Sequence, residues 1–276
     1  MSLPGKKIAV NGLNLHVVDE GRGPVVLLLH GFPDSSSMWR HLIPVLVDQG
    51  FRVIAPDLRG FGESDKPEEI KAYQFSNLTS DIVEILNILQ ITRAHVIGHD
   101  WGAVLGWVLA ASCPELVERF AALTVGHPNC FFNHQDLEQR RKSWYCHLFN
   151  WQGLAEEMLT RDNWSWFRHF MGNNPEFDRW RKDLSRPGAL TAALNIYRAN
   201  ISPEQYVNPQ SLPDIQAPTL GVWSDGDAYT TELQMINSKL HVKGPWRYER
   251  FEGASHWFPL DEPTRCNQLL LEFLTE

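Results

Sequence analysis

Residues 96–106 read "VIGHDWGAVLG", an apolar run that passes through Gly98-His99-Asp100-Trp101-Gly102 into a segment with helical spacing. Glycines two positions to either side of Asp100 suit a sharp strand-to-helix turn, because the backbones approach closely there and the central residue is strained. The pattern has the outline of a G-x-S-x-G nucleophile elbow, with aspartate in place of serine. Such a turn pushes residue 100 into the open above the N-terminus of the next helix, whose dipole and free N–H groups favour an ionised carboxylate. A serine needs a base to remove its proton, whereas an ionised carboxylate attacks carbon directly. Aspartate therefore points to displacement at an sp³ carbon and an alkyl ester, rather than to acylation. The plainer alternative is that Asp100 only caps the helix, a common place for aspartate.

Outward from the elbow, "VVLLLHG" (25–31), "FRVIAPDL" (51–58), "FAALTVGHP" (120–128) and "PTLGVWSDGD" (218–227) are further short apolar runs ending in polar or small residues. Runs of this kind suit strands buried on both faces of a parallel sheet. Helical patterns at 38–50, 76–90 and 101–115 alternate with them. The alternation predicts an α/β fold, a mostly parallel sheet with helices on both faces that binds ligands beyond the strand C-termini. Upstream, residues 7–21 alternate around Asn11-Gly12, a hairpin signal; downstream, 247–253 reads as the last strand and 263–274 as the last helix. From Asn129 to Leu212 no strand-like run occurs, and five of the eleven tryptophans fall there: Trp144, Trp151, Trp164, Trp166 and Trp180. This predicts a helical lid, residues 129–212, inserted between the two parts of a core domain, residues 1–128 and 213–276.

Composition narrows the function classes. With 276 residues, 43% hydrophobic and 21% charged, the chain suits a globular protein with one large core or a core plus an inserted module, and disordered and collagen-like classes are excluded. The net charge of −8 and dispersed basic residues argue against nucleic acid or an anionic membrane surface as partner. Cys113, Cys130, Cys146 and Cys266 form no C-x-x-C pair, so neither a zinc site nor a disulfide scaffold is indicated. Without a signal-peptide pattern or a stretch of roughly 18 apolar residues, no membrane span is expected and the cytoplasm is the expected location.

Two further segments complete the chemistry. His30-Gly31-Phe32-Pro33 follows a strand, where α/β-hydrolases place the loop that supplies one oxyanion-hole N–H, and the residue after the nucleophile supplies the other. That assigns the backbone N–H groups of Phe32 and Trp101 to the oxyanion. "VWSDGD" and "FEGASHW" give the chain order Asp100, Asp227, His256, which is nucleophile, acid, histidine. His256 is the expected base for a water, and Asp227 the residue that holds its tautomer, with Asp225 two positions away as a decoy. His99, His30 and His127 read as packing or loop supports.

The chain resembles the epoxide hydrolases of the α/β-hydrolase superfamily, close to the soluble type. The likeness is carried by "HGFPDSSSMWR", "APDLRGFGESDKP", "YQFSNLTSDIVEILN", "GHDWGAVLGW" and "SHWFPLDEPTRCNQLLLEFL". It implies a cofactor-independent, metal-free enzyme acting on a small lipophilic epoxide and water. It also implies two lid tyrosines that protonate the opening epoxide: "SWYCHLFNWQGLAEE" resembles the first tyrosine segment and points to Tyr145, and "ALNIYRAN" resembles the second and points to Tyr197. Ring opening leaves a strongly basic alkoxide, so a proton donor facing the nucleophile is chemically required. Tyr73, Tyr229 and Tyr248 read as core or surface residues, and Tyr206 is left open. The rival readings are a haloalkane dehalogenase using the same Asp100 and His256, and a non-catalytic hydrolase-fold protein whose pocket is a receptor. The natural substrate, its handedness and the oligomeric state are not set by the sequence.

Overall fold

In the computed structural model, which describes residues 3–133, 137–202, 204–205 and 211–276, strands β1 (Lys6–Val10) and β2 (Leu13–Gly21) form the expected antiparallel hairpin. Both turn residues, Asn11 and Gly12, have positive φ, as a tight two-residue hairpin connection requires. Six further strands follow: β3 (Val25–Leu29), β4 (Arg52–Pro56), β5 (Ala94–His99), β6 (Val117–Leu123), β7 (Thr219–Gly226) and β8 (Trp246–Ser255). They complete one eight-stranded sheet in the order β1-β2-β4-β3-β5-β6-β7-β8. β2 is antiparallel to β4, and from β4 to β8 all neighbours run parallel.

The apolar runs are strands because each side has a core to enter. Leu27, Leu29, Val96, Phe120 and Ala122 pack into the cluster on the lid side of the sheet. Their neighbours Val26, Leu28, Ile97, Ala121 and Leu123 pack into the cluster on the opposite face. Successive side chains of a strand point to opposite faces, so a continuous apolar run is the signature of burial on both.

Helices α1 (Ile43–Asp48), α2 (Phe75–Ile88) and α3 (Trp101–Ser112) fill the crossovers. The single helix expected over 38–50 is instead a 3₁₀ segment, Ser36–His41, followed by α1. Pro44 explains the break, since it lacks an N–H and its ring clashes with the preceding turn, so it sits in the first turn of a new helix. Between β6 and β7 the described residues from 128 to 200 hold six helices and no strand: α4 (Pro128–Asn133), α5 (Leu137–Lys142), α6 (Trp144–Phe149), α7 (Leu154–Phe170), α8 (Phe177–Leu184) and α9 (Ala189–Asn200). Helices α10 (Glu232–Asn237), α11 (Phe258–Asp261) and α12 (Pro263–Thr275) complete the chain. No helix among the described residues is long and apolar enough to cross a membrane.

Candidate active site

β5 delivers the chain to the elbow and α3 carries it away. Asp100 sits between them at φ 54° and ψ −122°, a conformation costing on the order of 1–3 kcal/mol for a residue with a side chain. Neighbouring glycines make the turn possible. A Cβ at Gly98 would run into the Gly102 carbonyl, one at Gly102 into the Leu29 carbonyl, and one at Gly31 into the Asp100 carboxylate. The Asp100 side chain makes no capping hydrogen bond to α3, so the helix-cap alternative is set aside.

Its two carboxylate oxygens face different groups. Oδ1 accepts the backbone N–H of Phe32 at 2.7 Å, and Oδ2 lies 3.6 Å from His256 Nε2. Trp101 begins α3 directly after Asp100, the position expected of the second backbone donor. Asp227 directly follows β7 and His256 directly follows β8, so adjacent parallel strands bring the two together at the sheet's C-terminal edge. His256 Nδ1 is 2.7 Å from Asp227 Oδ2. Asp227 Oδ1 accepts the backbone N–H groups of Tyr229 and Thr230, and Oδ2 accepts the Thr230 hydroxyl. Asp225 points elsewhere, accepting from Arg250 and from the Gly253 N–H.

Burial opposes charge on Asp227, but the His256 charge and these hydrogen bonds hold its carboxyl below the usual range. Burial alone lowers His256. The Asp227 charge and the hydrogen bonds to Asp100 and Asp227 outweigh it and raise the imidazole well above its usual value. With Asp100 ionised, the ring therefore rests protonated between two carboxylates.

Tyr145 on α6 and Tyr197 on α9 meet over the elbow, their ring centroids 6.0 Å apart and Tyr197 edge-on to Trp101 at 4.9 Å. Burial, with the Asp100 charge among the further causes, pushes both phenols well above their ordinary value, which keeps them protonated. Both line a cavity of about 430 Å³ whose walls also include Asp100, Trp101, Val104 and Phe75. A second recess of about 10 Å³, roughly the space of one water, lies beside Asp100 and His256 under Phe32 and Trp257. None of the five lid tryptophans lines either space. Trp180 is instead fully buried and donates from Nε1 to Asp34. Among the described residues no group of three or more His, Cys, Asp or Glu is arranged to hold a metal.

The supporting histidines act through the backbone. His30 Nδ1 lies 3.0 Å from the Gly31 carbonyl, and its Nε2 accepts the Leu58 N–H, bracing the loop that bears Phe32. His99 Nε2 lies 2.9 Å from the His256 carbonyl. His127 Nδ1 accepts the Asn129 N–H.

Sequence reasoning missed three contributors. Tyr229, read as a core or surface residue, lines both spaces, packs against His256 at 5.1 Å and anchors its hydroxyl on the Phe170 carbonyl. Its position two residues after Asp227 was the available signal. Thr124, at φ 75°, receives the Asp100 N–H on Oγ1 and the Thr230 hydroxyl on its carbonyl, so it ties elbow to acid loop. Asp34 is buried and takes Arg179 of α8 through both oxygens, joining the lid helices to the Phe32 loop. Tyr206 lies outside the described residues.

Sheet order, elbow and crossover helices together define an α/β-hydrolase. A family model described as alpha/beta hydrolase fold matches residues 24–148. The AB hydrolase superfamily protein YfhM of Bacillus subtilis is 34% identical over 97% of this chain and 96% of its own length. Epoxide hydrolase 4 of Homo sapiens is 32% identical over 98% of this chain and 78% of its own. The crystal structure of Bacillus megaterium epoxide hydrolase in complex with an inhibitor aligns with a TM-score of 0.89 at 27% identity, covering 98% of this chain and all of that one. This chain belongs to the epoxide hydrolase family of the α/β-hydrolase superfamily, and it is a hydrolase.

Proposed function

We propose that the protein converts lipophilic epoxides to vicinal diols through an ester on Asp100. The observation that carries this reading is the divided environment of the Asp100 carboxylate. Oδ1 is held by the Phe32 N–H, Oδ2 faces His256, and the residue lines the same cavity as the paired phenols. Asp100 Oδ2 attacks an oxirane carbon, the C–O bond breaks, and its electron pair leaves on oxygen, which takes a proton from Tyr145 or Tyr197. As the ester forms, the His256 imidazolium passes its proton through solvent to the phenolate and so enters the water step neutral. Water then adds to the Asp100 carbonyl carbon, giving its proton to His256, which Asp227 orients. Oδ1 becomes the oxyanion, stabilised by the N–H groups of Phe32 and Trp101. Collapse moves the hydroxyl proton of the tetrahedral intermediate to the departing oxygen, which releases the diol, restores the Asp100 carboxylate and leaves His256 protonated as at rest.

The charge on Asp100 orders these steps. While it is ionised it helps to raise His256 and both phenols. Esterification removes that charge, so the imidazole becomes a competent base and the phenols better acids when each is needed. Residues 129–212 act as the lid that brings the phenols over the nucleophile. Two phenols facing Asp100 favour protonation of an oxygen over solvation of a halide, which distinguishes this reading from a haloalkane dehalogenase.

Mass spectrometry of the His256→Gln and Asp100→Asn proteins mixed with styrene oxide tests it. The His256→Gln form gains one substrate mass on the Asp100 peptide, Asp100→Asn gains none, and the unaltered enzyme makes diol. Absence of both adduct and diol, with chloride released from haloalkanes, would transfer the assignment to dehalogenation.

A further inference from the structure

The larger cavity extends well beyond the reacting groups. It is lined by Asp100, Trp101, Val104, Val108 and Ser112, and the spacing from 100 to 104, 108 and 112 places one face of α3 along it. At about 1.5 Å per residue, that face runs roughly 18 Å from the nucleophile to the helix C-terminus. Asp100, Val104 and Val108 are half-buried and Ser112 is exposed, so the cavity passes from the carboxylate out to solvent. Its length suits a chain of up to roughly fourteen atoms, since each bond of about 1.5 Å advances somewhat less along a zigzag.

Several polar residues interrupt the wall, Ser76, Ser143, Asn200 and Thr230 among them, and Thr79 is one whose buried hydroxyl is unpaired. Thr79 on α2 is 9% exposed and lines the cavity, and its Oγ1 has no hydrogen-bond partner. A hydroxyl so buried is normally paired. It sits one helical turn beyond Phe75, whose ring lies 5.7 Å from that of Trp101, so Thr79 belongs to the arm rather than to the reacting centre.

We propose that the substrates are epoxides bearing a long apolar arm that lies along Val104 and Val108, with an ether or ester oxygen on that arm accepting a hydrogen bond from Thr79. This rests on the epoxide hydrolase reading and adds to it a substrate class and a specificity-determining residue. Two measurements of kcat/KM test it, with folding of each variant checked by circular dichroism.

The first uses straight-chain terminal epoxides. From 1,2-epoxyhexane to 1,2-epoxydecane the value for the unaltered enzyme rises about tenfold or more, since each methylene taken out of water contributes up to roughly fourfold. In Val108→Trp the long-to-short ratio falls by at least about tenfold. The second compares 1,2-epoxydecane with hexyl glycidyl ether and with an isomeric ether whose oxygen lies three carbons further out. Thr79→Val lowers the value for at least one ether by roughly threefold to tenfold, the range of a single hydrogen bond, and changes the all-carbon chain by less than about twofold. Short epoxides turned over with no gain from chain length would overturn the arm while leaving epoxide hydrolysis standing. Equal effects of Thr79→Val on all three long substrates would overturn the oxygen contact. Failure to form diol at any length would overturn the functional reading, and this inference with it.

Discussion

In the proposed mechanism Asp100 acts on its surroundings through its charge as well as through attack on the substrate. His256, Tyr145 and Tyr197 all carry raised pKa values to which that carboxylate contributes, against burial in the case of the imidazole and alongside it for the phenols. Asp100→Asn removes the charge without changing the shape, so the titration midpoint of His256, followed by NMR of the ring protons, moves to lower pH. An unchanged midpoint would mean that Asp227 alone sets it. Each phenol has the other as partial cover. Tyr145→Phe and Tyr197→Phe each lower kcat by roughly tenfold to a hundredfold, and the double variant by about a thousandfold or more, within the range of general acid catalysis. A double variant keeping a tenth of the activity would remove the tyrosines from the mechanism. The geometry was partly legible in the sequence: residues 96–106 show the aspartate at the elbow and the glycines around it, and "VWSDGD" and "FEGASHW" place Asp227 and His256 after strands. Thr124 was not legible, because its role depends on a positive φ that nothing in "ALTVG" announces.

At the level of elements, the site depends on how the helices between β6 and β7, the proposed lid, are fastened to the sheet. Arg179 of α8 donates to both oxygens of buried Asp34, two residues beyond Phe32, and also to Glu176, which in turn meets Arg40. Asn200 at the end of α9 holds the Tyr73 carbonyl and the Phe75 N–H, fixing the lid at the start of α2. Arg179→Met strands a buried carboxylate. A loss of about 3–5 kcal/mol in urea unfolding is expected, together with a fall in kcat larger than the change in KM as the Phe32 N–H shifts. A loss below about 1 kcal/mol with unchanged kcat would make the clamp ornamental. Strands, hairpin and the helices at 76–90 and 101–115 could be read from periodicity because their partners are the sheet itself. Clamp residues could not: Arg179 and Asp34 are 145 positions apart, and each looks like an ordinary surface charge until the fold joins them. The break of the helix expected at 38–50 was available in Pro44, and the helical spacing around it masked the signal.

For the whole molecule, buried ion pairs fix the pH range of stability. Asp57 is buried, yet His16, 3.2 Å away, and the N–H groups of Ser36 and Glu63 lower its carboxyl to about 2 from an ordinary 3.8. Its contribution is present above the ordinary value and is lost as pH falls through about 2. His16, raised by its hydrogen bond to Asp57, and His256 behave oppositely. Their contributions are full below the ordinary histidine value of 6.5 and are lost as pH rises through the raised values. Burial pulls His30, His99 and His127 the other way, His99 to about 4 and His127 to about 3, so their contributions are lost as pH falls below 6.5. The urea midpoint is therefore greatest near pH 6.5 and falls on both sides, and Asp57→Asn flattens its acid end. A midpoint still rising above neutrality would contradict the pairing. The proposed mechanism turns on a single covalent event, an ester on Asp100, whose oxygen atoms can be followed. With enzyme in excess over an epoxide in heavy-oxygen water, the account predicts that the diol of the first turnover carries no label while the Asp100 peptide takes up one labelled atom. Label in that diol, with none in the peptide, would mean that water attacks the epoxide directly and that Asp100 is not the nucleophile.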